Sequence, residues 1–429
     1  MAYSNLFLEV LFLVTVGILW SMIFYQLFFT FMGLFYRIKT TKEKRIYETD
    51  RKNLPPVSIL VPAHNEEQVI ERTLESLCRM DYPSEKIEIV VVNDGSTDQT
   101  PQIVREFRRK DSRVKLYSIP EEEAGKGKPH ALNKGLTQVK HEYIAVYDAD
   151  NTPEPDSLRY LVLNLMDDPG LASAFGKFRT RNQKRNLLTR FINLETLSFQ
   201  FMIQAGRYLL LKMALLPGTN FLIRRKALVE CGGWDEEALT EDTELSIRLY
   251  KKGYRIKFVP YSVTWEEEPE KWKVWLKQRC RWVRGNFYIL RKFFLSSFRS
   301  KKINIILELS YIFLLYYLFL ASILFSHLFF ITSGLGFIAV LSPGPYLAVW
   351  GCAFLLFTTE IIMVASFEGE ASFENLGVTI LMYFSYCQGW IVLVFRALYQ
   401  EIFKKPIHWE KTPRFASQEN QSKRRDHEH

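Results

Sequence analysis

Apolar and polar positions fall into three regimes along the chain. From Val10 to Tyr36 no residue carries a formal charge. At ~1.5 Å rise per residue that run exceeds the ~30 Å hydrocarbon core of a bilayer, which predicts a spanning helix. It lacks a basic leader region, is too long for the apolar part of a cleaved signal and has no small-residue cleavage site before Arg37, so it is expected to be retained. Uncharged sequence returns from Leu309 to Thr359, where only His327 titrates, and from Leu376 to Phe395. Three apolar segments stand out there, near Leu309–Thr332, Leu347–Phe367 and Leu376–Phe395. An odd number would leave the chain's end on the far side. The expectation is therefore that Ile303 to Leu341 crosses twice or lies partly in the interface, with the acidic loop Phe367 to Asn375 external.

The middle regime alternates strand and helix patterns. Val57–Asn65, Ile87–Ser96 and Glu142–Asp150 are short β-branched or aromatic runs that end abruptly in polar residues, as buried parallel strands do. Val69, Ile70, Leu74 and Leu77 recur at helical spacing between the first two, and Thr100-Pro101 opens a second helix after Ser96. This predicts a doubly wound α/β unit, in which ligands bind beyond the carboxyl ends of the strands. His64 to Glu66, Asn93 to Ser96 and Asp148 to Asp150 would then face one crevice.

Charge refines the picture. Lys and Arg number 56 against 47 Asp and Glu, but the excess lies beside the apolar runs: Arg37 to Arg45, Arg279 to Lys302, and Lys404, Lys405 and Lys423 to Arg425. That distribution predicts a cytoplasmic middle domain and tail and an external N-terminus, and it argues against a nucleic-acid partner. Cys78, Cys231, Cys280, Cys352 and Cys387 have no metal-ligand spacing and read as free thiols. The polar tail Ser417–His429 is expected to be disordered.

Candidate chemistry gathers at the strand ends. No GxGxxG follows a strand, and GKGKP (Gly125–Pro129) lacks P-loop spacing. Charge on a bound nucleotide would instead be neutralised by a metal on Asp148 and Asp150, two hard oxygen donors that alternation points the same way; turn caps are the plainer reading. Asp94 in NDGSTD is either a turn cap or a ligand contact. Glu241 and Asp242 are acids at a helix start that could instead reach a cleft, where one could take a proton from a hydroxyl. QRCRW (Gln278–Trp282) lies in a stretch rich in Trp and Arg, a composition usual at a membrane surface.

Taken together, VPAHNEE, VVNDGSTD, GKGKPHALNKG, YDADN, LPGTNFLIRRKAL, LTEDTELSIRL and QRCRW, within about Pro55 to Asn286, resemble the processive family 2 glycosyltransferases. The resemblance implies an α/β GT-A domain with a doubly wound mixed sheet, inserted between transmembrane helices. The implied divisions are an anchor (1–40), a catalytic domain with interfacial helices (50–300), C-terminal membrane helices (301–400) and a basic cytoplasmic tail (401–429). It further implies that Pro62, Ala63, His64, Asn65, Glu66 and Asp94 hold the uridine with Lys128 nearby, that Asp148 lies against the nucleotide and that Asp150 binds Mg²⁺ or Mn²⁺. Asp242 would be the catalytic base. Gln278, Arg281 and Trp282 would hold the diphosphate and the acceptor end, with Gly218, Thr219 and Asn220 lining the acceptor site.

The likeness is greatest to poly-β-1,6-N-acetylglucosamine synthases, which implies a UDP-sugar donor, a growing polysaccharide acceptor and a multi-pass place in the cell membrane among its lipids. The run Asn186–Met213 would then be an interfacial helix near a polymer channel. No PilZ-like segment follows Arg414, so cyclic-di-GMP binding is not expected, and WEKTPR (Trp409–Arg414) resembles the cytoplasmic end of these synthases. A hyaluronan, chitin or glucan product, transfer of one sugar to a lipid phosphate, a small accessory subunit, and a nucleotide-binding transporter or scaffold all stay open.

Overall fold

The structure, a computed structural model, describes residues 6–50, 53–300, 302–337 and 346–405. The WEKTPR element and the basic tail therefore lie outside the described residues.

Helix α1 (Leu6–Thr49) is 44 residues long, about 66 Å at helical rise, and runs past the division expected at residue 40. Its apolar part exposes Leu13, Phe24, Phe28 and Phe35. Its polar end is bonded into the next domain: Tyr36 Oη donates to Phe258 O at 2.5 Å, Tyr47 Oη to Asp167 at 2.9 Å, and Arg159 to Tyr47 O at 2.9 Å.

The catalytic unit comprises β1 (Val57–Ala63), α2 (Ile70–Cys78), β2 (Ile87–Asn93), α3 (Thr100–Lys110), β3 (Val114–Ser118), α4 (Lys128–Gln138), β4 (Tyr143–Val146), β5 (Thr152–Pro153), α5 (Ser157–Asp167), β6 (Leu171–Thr180), α6 (Leu187–Phe199), α7 (Arg207–Leu211), β7 (Phe221–Arg224), α8 (Arg225–Glu230), α9 (Glu241–Lys252), β8 (Arg255–Glu266) and α10 (Trp272–Ser300). Eight strands form one sheet in the order β3-β2-β1-β4-β7-β6-β8-β5. The three strands read from sequence are parallel neighbours, β2-β1-β4, whereas β7 runs antiparallel to both β4 and β6, so the sheet is mixed.

Strand alternation divides the core. Val57, Ile59 and Val61 join Leu74 of α2 and Leu161 of α5 on one face. Leu60, Val90 and Val92 meet Leu132, Phe191 and Phe287 on the other. Both faces are covered, as near-continuous apolar strands require.

Between α6 and α7 the chain forms a π-helical segment, Gln200–Gly206. Gly206 and Gly33 bring it directly against α1: a Cβ on Gly206 would collide with Phe29 O, and one on Gly33 with Phe201 O. The expected interfacial run is thus divided into α6, the π-helical segment and α7 and seated on α1, with Leu188, Phe191, Leu194 and Leu197 in the interior and Leu187, Phe199 and Leu210 exposed.

The C-terminal third contains α11 (Ile303–Phe313), a π-helical turn, α12 (Leu320–Gly334), α13 (Tyr346–Phe367), α14 (Phe373–Phe384) and α15 (Tyr386–Ile402). By length and composition, four helical stretches among the described residues could cross a membrane: Leu6–Thr49, Ile303–Thr332, Trp350–Phe367 and Phe373–Ile402. Ile303–Thr332 is helical throughout, and residues 338–341 of the stretch expected to cross twice or lie partly in the interface fall outside the described residues. The loop expected to be external lies against the catalytic unit. Glu368 pairs with Lys177 at 2.7 Å and with Arg179, Glu370 accepts from Asn193 at 2.5 Å, and Glu374 pairs with Arg190. The far end of α15 returns to the same side, where Glu401 meets Arg291 at 2.5 Å and Arg284 donates to Lys405 O at 2.8 Å.

Candidate active site

Two clusters form at the carboxyl edge of the parallel strands. In the first, β1 and β2 end in register at Ala63 and Asn93. Asn65 turns the chain with a φ of 55°, and its backbone N–H donates to Ser96 Oγ at 2.9 Å. The His64 ring donates from Nδ1 to Asp94 O at 2.6 Å, and Glu66 N–H donates to Thr100 Oγ1 at 2.7 Å. Pro62 continues β1 opposite Val92. Asp94 is buried, and its two carboxylate oxygens accept from Gly125 N at 2.7 Å and Gly127 N at 3.0 Å. It therefore ties the β2 end to the glycine-lysine loop, and Gly127 at a φ of 98° lets that loop turn directly into α4.

The loop delivers Lys128 to the second cluster. Its Nζ lies 2.6 Å from Asp148, 2.9 Å from Gly218 O and 3.5 Å from Glu241. Burial alone would lower the Lys128 pKa, but the Asp148 and Glu241 carboxylates outweigh it and raise it, so the ammonium stays charged. Asp148 N–H donates to Thr219 Oγ1 at 3.0 Å, which joins the third strand end to the PGTN turn. Asp150 is buried two residues on. Gly218, at a φ of 84°, passes so near α9 that an added Cβ would stand 2.9 Å from Asp242 Oδ2.

Asp242 sits in the first turn of α9, where its Oδ1 accepts from Thr243 N–H at 2.6 Å. Burial and the neighbouring Glu241 push its pKa up to about 7, against the opposing pull of Lys128, the Thr243 N–H and Arg281. A carboxylate tuned there suits proton transfer near neutral pH.

Helix α10 supplies QRCRW. Arg281 donates to Leu239 O at 3.2 Å, on the loop before α9, and Gln278 Oε1 accepts from Arg279 at 2.9 Å. The Trp282 ring is 38% exposed, with the Arg279 guanidinium 3.9 Å from its centroid. The structure thus brings Lys128, Asp148, Gly218, Asp242 and Arg281 together and leaves the Trp282 ring open to solvent beside them. Asn220 is different. Its side chain is wholly buried, its amide nitrogen donates to Lys177 O at 3.3 Å and Ser262 O at 3.2 Å, and its Oδ1 accepts from Ser262 Oγ at 3.4 Å. Asn220 therefore fastens β6 and β8 and turns its polar atoms away from an acceptor.

Arg279 is the residue that sequence reasoning passed over. It is 1% exposed, pairs with Glu195 of α6 at 2.8 Å, and lies beneath Trp282. Glu195 also accepts from Tyr386 Oη at 2.8 Å and Trp390 Nε1 at 3.0 Å on α15, and Trp275 Nε1 donates to Tyr386 Oη at 2.8 Å. The available signal was its position one helical turn before Trp282, where side chains meet.

A mixed α/β sheet with acidic strand ends, an acidic helix start opposite them and an Arg-Trp motif together fit a glycosyltransferase. Residues 55–285 match the family described as Glycosyltransferase like family 2, and the chain belongs to that family. It is 44% identical over 419 residues, 94% of this chain and 98% of the other, to the probable glycosyltransferase YdaM of Bacillus subtilis (strain 168). It is 30% identical over 260 residues, 61% of each chain, to the poly-β-1,6-N-acetyl-D-glucosamine synthase of Staphylococcus epidermidis. In fold it is similar to the mannosyltransferase PcManGT from Pyrobaculum calidifontis, solved in complex with GDP-Man and Mn²⁺. The TM-score is 0.56, at 19% identity, over 92% of this chain and 100% of that one.

Proposed function

We propose that the chain is an inverting, processive membrane glycosyltransferase that builds a β-linked polysaccharide from a UDP-sugar, with UDP-N-acetylglucosamine as the donor. The observation that carries the transfer chemistry is the convergence of Asp148, Lys128, Gly218 and Asp242. Similarity to poly-N-acetylglucosamine synthases carries the sugar.

In this reading the Asp242 carboxylate takes the proton of an acceptor hydroxyl, and that oxygen attacks the anomeric carbon from the face opposite the diphosphate. The bond from carbon to phosphate oxygen breaks with its electrons going to UDP, and the configuration inverts. Lys128 and Arg281 stand where leaving-group charge grows, and such fixed charges act most strongly when that charge is greatest. Gln278 and the exposed face of Trp282 receive the acceptor end.

Asp148 and Asp150 would hold a divalent cation together with the diphosphate. No group of three or more His, Cys, Asp or Glu side chains among the described residues could hold a metal ion. Two carboxylates at one strand end are the hard oxygen donors that suit a cation keeping waters and taking substrate phosphates as ligands. When bound, that cation neutralises charge on the leaving diphosphate. The catalytic unit is assigned to the cytoplasmic side by the basic residues after the apolar part of α1 and along α10.

The test is incubation of the purified full chain in a membrane mimetic with UDP-N-acetylglucosamine, UDP-glucose, UDP-glucuronic acid or GDP-mannose and Mg²⁺ or Mn²⁺. Nucleotide release and product size are read together. Long, β-1,6-cleavable product from UDP-N-acetylglucosamine supports the proposal. A single-sugar lipid product, or turnover only with another donor, overturns it.

A further inference from the structure

A cleft of about 270 Å³ lies apart from the transfer site, where α1 meets the catalytic unit, and its lining includes Gly33, Arg37 and Lys44 of α1, Lys177 and Arg179 of β6, Glu154, Phe201, Phe258, Phe367 and Glu368. Its lining mixes apolar groups, Phe201, Ala205, Phe258 and Phe367, with charged ones. Arg37 is the first charged residue after the uncharged run of α1, so the cleft sits at the depth where that run leaves the apolar part of a bilayer.

Its lining charges do not balance. Arg37, Lys44, Lys177 and Arg179 line it with two carboxylates, Glu154 and Glu368, while Glu48 and Glu370 stand outside the lining. Glu368 is shared between Lys177 at 2.7 Å and Arg179, and Glu154 accepts from Trp265 Nε1 at 3.1 Å. Lys44 reaches Glu48 at 3.5 Å on the exposed side of α1, and Arg179 lies 3.8 Å from Glu370. Among the described residues Arg37 pairs with no carboxylate. Its guanidinium stands 5.6 Å over the Phe367 ring, and its Nη1 is buried without a hydrogen-bond partner. The pKa of Lys177 is lowered, first by burial, with Glu368 pulling it up and Arg179 and Arg37 adding to the fall. A buried guanidinium nitrogen without an acceptor costs free energy that an anion would recover.

We infer that this cleft binds the phosphate of an anionic phospholipid, with Arg37 as the principal contact, Lys177 and Lys44 beside it, and the acyl chains leaving along Phe201 and Phe367. Basic pockets between membrane helices on the cytoplasmic side take anionic headgroups for this reason. The inference does not depend on which sugar is transferred.

The test uses the full chain purified in detergent and titrated with phosphatidylglycerol, phosphatidylcholine or inorganic phosphate, with bound lipid read by native mass spectrometry and the thermal midpoint followed in parallel. Phosphatidylglycerol is expected to be retained and to raise the midpoint, and phosphatidylcholine to do neither. Arg37→Gln should weaken phosphatidylglycerol binding about fivefold, the effect of one basic residue facing an anionic headgroup, while Arg37→Lys keeps most of it. Lys39→Gln, on α1 but outside the cleft, should leave binding unchanged. If Arg37→Gln does not fold, Lys44→Gln at the polar end carries the same comparison. Equal retention of the two lipids, or unchanged binding by the glutamine variant, would overturn the site. A midpoint shift with inorganic phosphate as large as with phosphatidylglycerol would make the ligand a free anion and overturn the lipid assignment.

Discussion

Asp242 holds opposing forces in one side chain. Burial and Glu241 favour its neutral form, while Lys128, the Thr243 N–H and Arg281 favour the carboxylate, with the balance at about 7. A base must be ionised to accept a proton, so the working form is lost as pH falls below that value, tenfold for each unit. The donor-saturated transfer rate should therefore rise with pH through about 7 and level off above it. Asp242→Asn should lose about 10²–10⁴-fold in kcat, the usual worth of general base catalysis, with little change in donor KM and no such rise in its residual rate. A variant with wild-type turnover would remove Asp242 from the role. The carboxylate was legible in sequence because TED precedes a helix pattern. The place of Lys128 was not, since its ties to Asp148, Gly218 and Glu241 form only when three separate loops are folded together.

At the scale of elements, α10 is where membrane-side and catalytic surfaces meet. One turn of it presents Trp282 outward and Arg279 inward, and the guanidinium beneath the indole is locked by Glu195 of α6, itself held by Tyr386 and Trp390 of α15. Arg279→Lys keeps the charge but loses the planar face that stacks. The expected result is a higher acceptor KM or shorter product, with the thermal midpoint nearly kept. Arg279→Met leaves Glu195 only its tyrosine and tryptophan donors and should cost about 1.5–3 kcal/mol of stability, the range for a hydrogen bond to a charged group. A lysine variant with unchanged acceptor kinetics would reduce Arg279 to a structural strut. The parallel strands and helices α2 and α3 were readable from periodicity, because local pattern sets them. The clamp was not, since Glu195 lies 84 residues from Arg279 and a motif read as a string has no inside or outside.

For the whole molecule, hydropathy records how apolar a helix is but not whether it crosses. The stretch Phe373–Ile402 is apolar enough to span, yet both of its ends are fastened on one side. At its start Glu368, Glu370 and Glu374 meet Lys177, Asn193 and Arg190 of the catalytic unit. At its finish Glu401 meets Arg291 of α10, and α10 is itself bound to the catalytic unit through Lys292, which lies 2.6 Å from Asp235 and 2.8 Å from Glu244. Between these ends the helix breaks at Ser385, where φ is −126° and ψ −72°, and the next residue, Tyr386, is itself bonded to Glu195 and Trp275, so α14 and α15 form a bent pair that is expected to lie along the catalytic unit rather than to cross. If α11–α12 and α13 are the two C-terminal crossings, Phe403–Lys405 lies on the catalytic side and the odd count needs no double crossing of Ile303–Leu341, whose residues 338–341 are outside the described residues. Phe373, 93% exposed at the head of α14, offers the test. In Phe373→Cys, the introduced thiol should resist a membrane-impermeant maleimide in intact cells and react once membranes are opened, with peptide mass spectrometry separating it from the native cysteines. Labelling in intact cells would put the loop outside, sever its pairing with Lys177 and Arg179, and make Phe373–Ile402 a third crossing.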